Sequence, residues 1–324
     1  MVGAYFFRRL LIAIPVLAGI TIVAFFVLSA APGDPVLARL DPEVLARLTP
    51  ADIDARRREL GLDQPIPIRY AKWLGDVLQG NFGYSIVSGR PIASEVASRL
   101  GPSLTLMVVA AAIAILVGLP FGVISAVNQY GRLDYTLSGF TIFLISTPTF
   151  VLGLVALYLF GVTLKVLPVG ELFTFGKEDD IIDRAAHIVM PAMILGLANA
   201  AQLMRYTRAS MLDVLGSEYI TTAKAKGLAG RVVLVRHALR NALIPIITIL
   251  AILLPELIAG AVITETVFNW PGLGQLAVRA ARDRDPALMM GVVLIVGAFT
   301  LVASIIADLL YSVADPRIRY DRGR

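Results

Sequence analysis

Long apolar runs alternate with polar connectors along the chain, and each run has roughly the length of a helix that crosses a membrane. A span needs about 20 consecutive apolar residues. The runs are Leu10–Leu28, Ser103–Val127, Leu137–Leu164, Ile188–Met204, Ala242–Ile263 and Ala287–Val313. The pattern therefore predicts an all-α membrane protein with six transmembrane helices.

A polar segment, residues 31–100, separates the first run from the second. Thr49-Pro50 is typical of a helix start and Gly61 of a helix end. A second short helix is predicted over Pro67–Gln79, with one face made by Tyr70, Trp73, Leu74 and Leu78. We expect this mostly helical segment to be extracytoplasmic, because long loops cross the membrane largely regardless of charge.

The charges of the short connectors predict the orientation, because Lys and Arg there favour the cytoplasmic side. Basic residues precede the first run, follow the second at Arg132 and fill residues 205–240, whereas the connector 165–184 is acidic. Both termini are therefore predicted to be cytoplasmic. The expected divisions are an N-terminal transmembrane helix 1–30, an extracytoplasmic segment 31–100, a five-helix core 101–315 and a cytoplasmic tail 316–324.

Composition agrees with a membrane protein and excludes several kinds of site. Hydrophobic residues make up 57% and charged residues 16%, with a mean hydropathy of +0.77; soluble domains carry about 25% charged residues. The net charge of +5 sits at membrane edges, so it does not indicate nucleic-acid binding. There are no cysteines and two histidines. No metal site, catalytic constellation or phosphate-binding GxxxxGK[ST] loop is present, so the chain is predicted to bind no cofactor.

One connector, residues 216–240, is predicted to form a helical hairpin on the cytoplasmic face. Its first helix should begin at Ser217 as a cap with Glu218 in the first turn, and Gly227 should turn the chain left-handed and end it. A second short helix, Arg231–Arg240, then leads into the next span. Such a basic hairpin is suited to docking on another protein; the alternative is a charged loop that only sets orientation.

Two further groups of residues are candidates for function. Glu256 is the one acidic residue predicted clearly inside a span, next to Pro255, and it is interpreted as lining a translocation path or as making a structural hydrogen bond. The second group is the outward connector after that span. Its members are predicted to form an outer gate or, equally, an aromatic turn at the membrane interface: Phe268, Trp270, Pro271 and Gly272.

Several stretches resemble the dipeptide/oligopeptide permease family of ABC importers, and they cover nearly the whole chain. They are RRLLIAIPVL, LGLDQPIPIRYAKWL, GNFGYS, MRYTRASML, TAKAKG followed by RHALRNALIP, ETVFNWPGLG and DLLYSVADPRIR. The resemblance implies the type I ABC-importer permease fold, and the long segment after the first span matches the B-type subunit. It also implies a bacterial cytoplasmic (inner) membrane location.

The same resemblance assigns the hairpin to ATPase coupling, with Thr221 standing where the wider family has a glutamate. The residues implied are Ser217, Glu218, Tyr219, Ile220, Thr221, Thr222, Ala223, Lys224, Ala225, Lys226 and Gly227. The implied partners are a second homologous permease, two ATPase subunits that carry ATP and Mg, and an extracytoplasmic peptide-binding protein.

The function implied is peptide import by alternating access, without enzymatic activity in this chain. The alternatives are import of nickel or glutathione by the same architecture, and, more remotely, an ion-coupled carrier. A carrier predicts several ionisable residues inside spans and inverted repeats, which the sequence does not show. An intramembrane hydrolase would need paired catalytic groups at depth, and His187 and His237 lie near span ends or in the hairpin.

Overall fold

The computed structural model describes residues 2–30, 49–59 and 61–314. Helices joined by loops make up these ranges, which contain no strand beyond one isolated bridge between Tyr84 and Pro91. The predicted tail 316–324 lies outside the described residues.

The helices follow the predicted runs closely, but most of them extend past the apolar stretch. They are α1 Val2–Ala30, α2 Pro50–Glu59, α3 Ile66–Leu78, α4 Ile92–Val127, α5 Arg132–Ser146, α6 Thr149–Ala156, α7 Ile181–Leu215, α8 Glu218–Ala225, α9 Gly230–Val232, α10 Arg240–Val267, α11 Leu273–Arg282 and α12 Pro286–Ala314. A π-helical turn, Leu157–Thr163, continues α6, and another, Val233–Leu239, joins α9 to α10.

Among the described residues, five helices are long and apolar enough to cross a membrane, and a bent pair makes up to six. The pair is Arg132–Ser146 with Thr149–Thr163, bent by 101°. The predicted span over 137–164 is therefore present as two helices with a sharp bend between them. Pro148 is the reason, because proline disfavours helical backbone in the residue before it, and Thr147 is extended with ψ 126°.

The short helices of the polar segment begin close to their predicted starts. The Thr49 backbone N–H donates to Asp52 Oδ2 at 2.9 Å, and the Asp52 N–H donates to Thr49 Oγ1 at 3.3 Å, which caps α2. Gly61 follows with φ +65°. The predicted face of α3 holds in part: Tyr70 and Trp73 are half-buried, but Leu78 is 79% exposed.

The chain divides into two compact units. The first contains Met1–Gly101 and Gly272–Leu301. Within it, α3 packs on α1 through the rings of Tyr70 and Trp73, whose centroids lie 5.5 and 6.2 Å from that of Phe25. A separate apolar cluster joins α4, α11 and α12, and its buried members are Ile92, Val96, Leu273, Leu276, Ala280, Leu288 and Val292.

The second unit contains Pro102–Pro271 and Val302–Arg324. Its centre is α7, which packs against α10, α5 and α6. The helix α4 also approaches α7 closely at Gly122, where an added Cβ would lie 2.5 Å from the Thr207 Cβ, so only glycine fits there. This packing fixes the position of α7, which leads directly into the predicted hairpin.

Candidate functional site

The predicted hairpin is present, and a helix-ending motif at Gly227 closes its first arm. The Gly227 N–H donates to the Lys224 carbonyl at 2.9 Å, and the Leu228 N–H donates to the Ala223 carbonyl at 3.4 Å. These are the two hydrogen bonds of the Schellman motif. Gly227 has φ +78°, so the predicted left-handed turn at this residue is confirmed.

The start of the first arm differs from the prediction in one respect. Ser217 occupies the cap position before α8, but its side chain caps no backbone N–H of the helix. Its hydroxyl instead donates to the Val214 carbonyl at 2.6 Å, at the end of α7. The serine therefore ties α8 back to the long helix that precedes it.

The two faces of α8 differ sharply. Ile220 and Ala223 are buried in an apolar cluster shared with α7, α10 and the π-helical turn between α9 and α10. The outward face is exposed, and its members are Glu218, Tyr219, Thr221, Thr222, Lys224, Ala225 and Lys226. The helix is therefore anchored through one face and presents a polar, partly basic surface on the other.

A hydrogen bond connects the exposed face of α8 to the following transmembrane helix. The Asn241 side-chain amide donates to Tyr219 Oη at 3.0 Å and to the His237 carbonyl at 2.8 Å. Asn241 lies in the first turn of α10, so it links α8 to α10 in addition to the buried cluster.

The second arm is also present, in a form that the sequence did not indicate. The predicted helix Arg231–Arg240 is observed as the short α9 followed by the π-helical turn, which runs without interruption into α10. Val233 and Ala238 are buried against the first arm, whereas Arg231 and Arg236 are exposed. The exposed surface of the hairpin is therefore basic on both arms.

A buried ion pair between α5 and α7 could not be predicted from the sequence. Arg208 of α7 donates to both carboxylate oxygens of Asp134, from Nε at 2.7 Å and from Nη2 at 2.8 Å. The Asp134 side chain is 3% exposed and that of Arg208 is 27% exposed. Arg208 lies in the MRYTRASML stretch quoted above, but nothing in the sequence connects it to an aspartate that precedes it by 74 positions.

The same carboxylate organises the turn between α4 and α5. Asp134 accepts hydrogen bonds from Ser125 Oγ at 2.5 Å and from the Tyr130 N–H at 2.9 Å. Tyr130 has φ 61°, an unfavourable value for a residue with a side chain, which these contacts stabilise. Three helices, α4, α5 and α7, thus meet at one fully hydrogen-bonded carboxylate.

Glu256 lies on one exposed face of α10. That face consists of Ile252, Glu256, Ala259, Ile263 and Thr266. The opposite side of the helix, which includes Leu253 and Leu257, is buried within the second unit. Pro255, the other residue predicted to line a path, is half-buried.

The aromatic side chains predicted to form a turn at a membrane interface are buried inside the protein. Phe268 and Trp270 are 1% and 2% exposed, so they belong to the packed interior of the second unit. The Trp270 indole N–H donates to the Pro102 carbonyl at 3.0 Å. An indole can be buried because its single donor is paired in this way.

The turn of this connector lies before Pro271 and Gly272, not at these two residues. The chain turns at Phe268 and Asn269, where Asn269 has φ 47°, and the Trp270 N–H donates to the Glu265 carbonyl at 2.8 Å. Pro271 and Gly272 follow this turn and lead into α11, with Gly272 in an extended conformation. Their role in an outer gate stays a prediction.

Glu265 is a second acidic residue of α10. The apolar run that ends at Ile263 predicted that this residue lies in the connector after the helix, but the helix continues to Val267. Glu265 lies inside the helix and is 0% exposed, and its Oε1 accepts a hydrogen bond from Ser103 Oγ at 2.5 Å. Buried carboxylates are retained only where partners satisfy them. Glu265 therefore joins the C-terminal part of α10 to α4.

We expect Glu265→Ala to destabilise the protein by about 2 kcal/mol, because it removes the acceptor of the Ser103 hydroxyl from a buried site. Thermal unfolding of the purified protein in detergent measures the effect. Thr266→Ala is the matched control, since Thr266 is exposed and its hydroxyl bonds only to the Val262 carbonyl of its own helix. Equal unfolding temperatures for the two variants would contradict the structural role of Glu265.

The architecture is that of the transmembrane subunit of an ABC importer. A chain of the inward-facing MetNI methionine ABC transporter superposes with a TM-score of 0.57 and 18% identity, over 69% of this chain and 98% of that chain. At this identity the likeness shows the fold alone. It confirms the predicted permease fold.

Sequence comparison shows the family. Residues 118–320 match the family described as "Binding-protein-dependent transport system inner membrane component", and residues 2–107 match the corresponding N-terminal family. The oligopeptide transport system permease protein AppB of Bacillus subtilis (strain 168) is 42% identical, over 98% of this chain and 100% of that protein. The glutathione transport system permease protein GsiC of Pectobacterium atrosepticum is 37% identical, over 98% and 99%. The chain therefore belongs to the family of binding-protein-dependent transport system inner membrane components.

Proposed function

We propose that this chain is one permease subunit of an ATP-driven importer that moves peptides across the cytoplasmic membrane by alternating access. The observation that carries the proposal is the hairpin. Its first helix is anchored by Ile220 and Ala223 in the core of the second unit, and its other face is exposed and polar. A movement imposed on that face passes into α7 and α10.

The proposed partners follow from what the hairpin requires. The sequence has no phosphate-binding loop of the GxxxxGK[ST] type, so ATP and Mg belong to two separate ATPase subunits. One of these subunits docks on the exposed face of α8. A second, homologous permease completes the translocation path, and an extracytoplasmic binding protein delivers the substrate, as the family description indicates.

The proposed orientation places the hairpin and both termini in the cytoplasm. The exposed arginines of the hairpin agree with this orientation, because positive charge in short connectors favours the cytoplasmic side. The connector 165–184 and the polar segment before α4 are then extracytoplasmic. Labelling of single introduced cysteines with a membrane-impermeant reagent measures the orientation directly, since the natural chain has no cysteine.

Peptides are the substrate class that the relatives support best. The Bacillus subtilis relative is named for oligopeptide transport and the Pectobacterium relative for glutathione transport, and glutathione is itself a small peptide. Uptake of a labelled oligopeptide, competed by unlabelled peptides of different length or by glutathione, distinguishes the two. Purification of the tagged chain without any ATPase subunit would contradict the proposal as a whole.

Glu256 is proposed to line the translocation path. A carboxylate facing lipid at this depth is costly, so the exposed face that carries it should contact either a water-filled path or the second permease. In the first case its charge faces the ammonium group or the backbone amides of the peptide. In the second case it forms a structural hydrogen bond between the two permeases.

We expect Glu256→Gln to lower peptide uptake about tenfold while the complex still assembles, because a hydrogen bond to a charged group contributes about 1.5–3 kcal/mol. Asp213→Asn is the matched control, since it neutralises an exposed carboxylate of α7 outside the proposed path. Normal uptake by Glu256→Gln would exclude the transport role. Loss of the second permease on purification would favour the structural role.

A further inference from the structure

The first unit carries a cationic surface that the function proposed above does not use. This surface combines the loop 84–91 with the segment 279–285, which includes the end of α11 and the turn into α12. The exposed charged side chains of these two segments are four arginines and one aspartate, namely Arg90, Arg279, Arg282, Arg284 and Asp283. Asp283 lies 3.5 Å from Arg279. Glu95 of α4 accepts a hydrogen bond from Ser88 of the loop, and the four arginines still outnumber these two carboxylates.

A buried carboxylate fixes these two segments to each other. Asp285 is 1% exposed, and its Oδ2 accepts hydrogen bonds from Ser85 Oγ at 2.7 Å and from the N–H groups of Ile86 and Val87 at 2.8 and 3.2 Å. Its Oδ1 accepts from the Leu288 N–H at 3.0 Å, at the start of α12. Because this one buried carboxylate accepts four hydrogen bonds, it holds the loop 84–91 and the segment 279–285 in a fixed arrangement.

The loop itself is closed by its own hydrogen bonds. The Ser85 N–H donates to the Arg90 carbonyl at 2.9 Å, and the Ser88 N–H donates to Ser85 Oγ at 3.0 Å. Tyr84 and Val87 remain 66% and 49% exposed on this rigid loop. Exposed Tyr and Arg side chains on a rigid support are enriched where proteins bind one another.

Arg284 is held in a costly backbone conformation, with φ 52°. Glycine or asparagine would adopt this conformation more easily, so the turn alone does not account for an arginine here. Within the described part of the chain, neither Arg282 nor Arg284 has an ion-pair partner. Strained residues of this kind are concentrated at functional sites.

We propose that this cationic surface docks an acidic patch of the extracytoplasmic binding protein. The inference rests on the proposed function and on its orientation, which places the surface outside the membrane. Arginines in a short extracytoplasmic connector oppose the usual charge distribution, and an acidic partner outside the membrane would account for them. The positive charge of this surface favours an acidic partner. The attraction should mainly raise the rate at which the binding protein associates with the permease.

The experiment uses the whole complex in nanodiscs of neutral lipid and the purified binding protein that functions with it. The double substitution Arg282→Glu and Arg284→Glu should weaken binding about tenfold or more, mainly through slower association, and should remove most of its dependence on salt. Arg58→Glu is the matched control, because it reverses an exposed arginine of α2 in the same unit and should leave binding unchanged. The neutral pair Arg282→Gln and Arg284→Gln should lie between the wild type and the charge reversal, and it provides the test if the reversed variant fails to assemble.

Wild-type affinity in the charge-reversed complex would overturn the inference while leaving the proposed function intact. An effect that appears only in nanodiscs of anionic lipid, with binding-protein affinity unchanged in neutral lipid, would also overturn it and would indicate a lipid-headgroup site. Failure of the wild-type complex to bind any peptide-binding protein, or to take up peptide, would instead overturn the proposed function.

Discussion

Arg208→Met is expected to destabilise the protein by about 3 kcal/mol. It leaves the carboxylate of Asp134, whose side chain is 3% exposed, without its cationic partner. Removal of one member of a buried ion pair costs about 3–5 kcal/mol, and we expect about 3 because the Arg208 side chain is 27% exposed. The turn before α5 and the packing of α7 should loosen together. Thermal unfolding and the yield of monodisperse complex in detergent measure the loss.

Two further variants test whether the loss of stability comes from the ion pair itself. Arg205→Met removes an exposed arginine from the same helix, whose guanidinium only lies over the ring of Tyr206 at 5.3 Å, and it should change little. The double substitution Asp134→Leu with Arg208→Met should regain much of the stability, because a buried pair replaced by apolar groups is often tolerated. A wild-type unfolding temperature for Arg208→Met alone would contradict the proposed importance of the pair.

Gly227→Val is expected to separate ATP hydrolysis from transport. Gly227 has φ +78°, and an added Cβ would meet no atom within 4 Å, so the effect comes from backbone strain alone. That strain is about 1–2 kcal/mol for an ordinary residue and greater for a β-branched one. The turn should give way and misplace the exposed face of α8, while the transmembrane helices remain in position. Peptide-stimulated ATP hydrolysis and peptide uptake in reconstituted vesicles should then be uncoupled.

Gly230 provides a close control for this substitution. It also has open space around the position of an added Cβ, but its φ is not in the left-handed region. Gly230→Val therefore adds the same side chain to the same hairpin without the strain, and it should couple normally. Gly227→Ala should be intermediate. Normal coupling by Gly227→Val would refute the idea that this turn positions the docking face.

The features that sequence alone could predict are those set by local chemistry. The apolar runs predicted the membrane helices because a span must satisfy its backbone internally. Gly227 predicted the end of α8, because a left-handed residue at a helix end favours glycine. Ser217 shows the limit even at short range, since its hydroxyl could bond forward to α8 or back to Val214, and it bonds back.

The features that the sequence did not reveal depend on contacts between distant segments. Glu265 resembles a residue of a surface connector, yet Ser103 of α4 reaches it in a buried site. Phe268 and Trp270 likewise have the composition of an interfacial turn, but the turn at Asn269 directs both side chains into the interior. Burial of polar and aromatic groups was decided by tertiary packing, for which the local sequence carries no signal.

Crosslinking from α8 tests the central claim most directly, namely that this helix docks an ATPase subunit. The natural chain has no cysteine, so Lys224→Cys on the exposed face of α8 provides a single attachment point for a thiol-linked photocrosslinker in the assembled complex. We predict a crosslinked product with the ATPase subunit from position 224. A cysteine in place of the exposed Tyr84, in the loop proposed to be extracytoplasmic, should give no such product. Absence of the product from position 224, or its appearance from position 84, would contradict the proposed role of the hairpin.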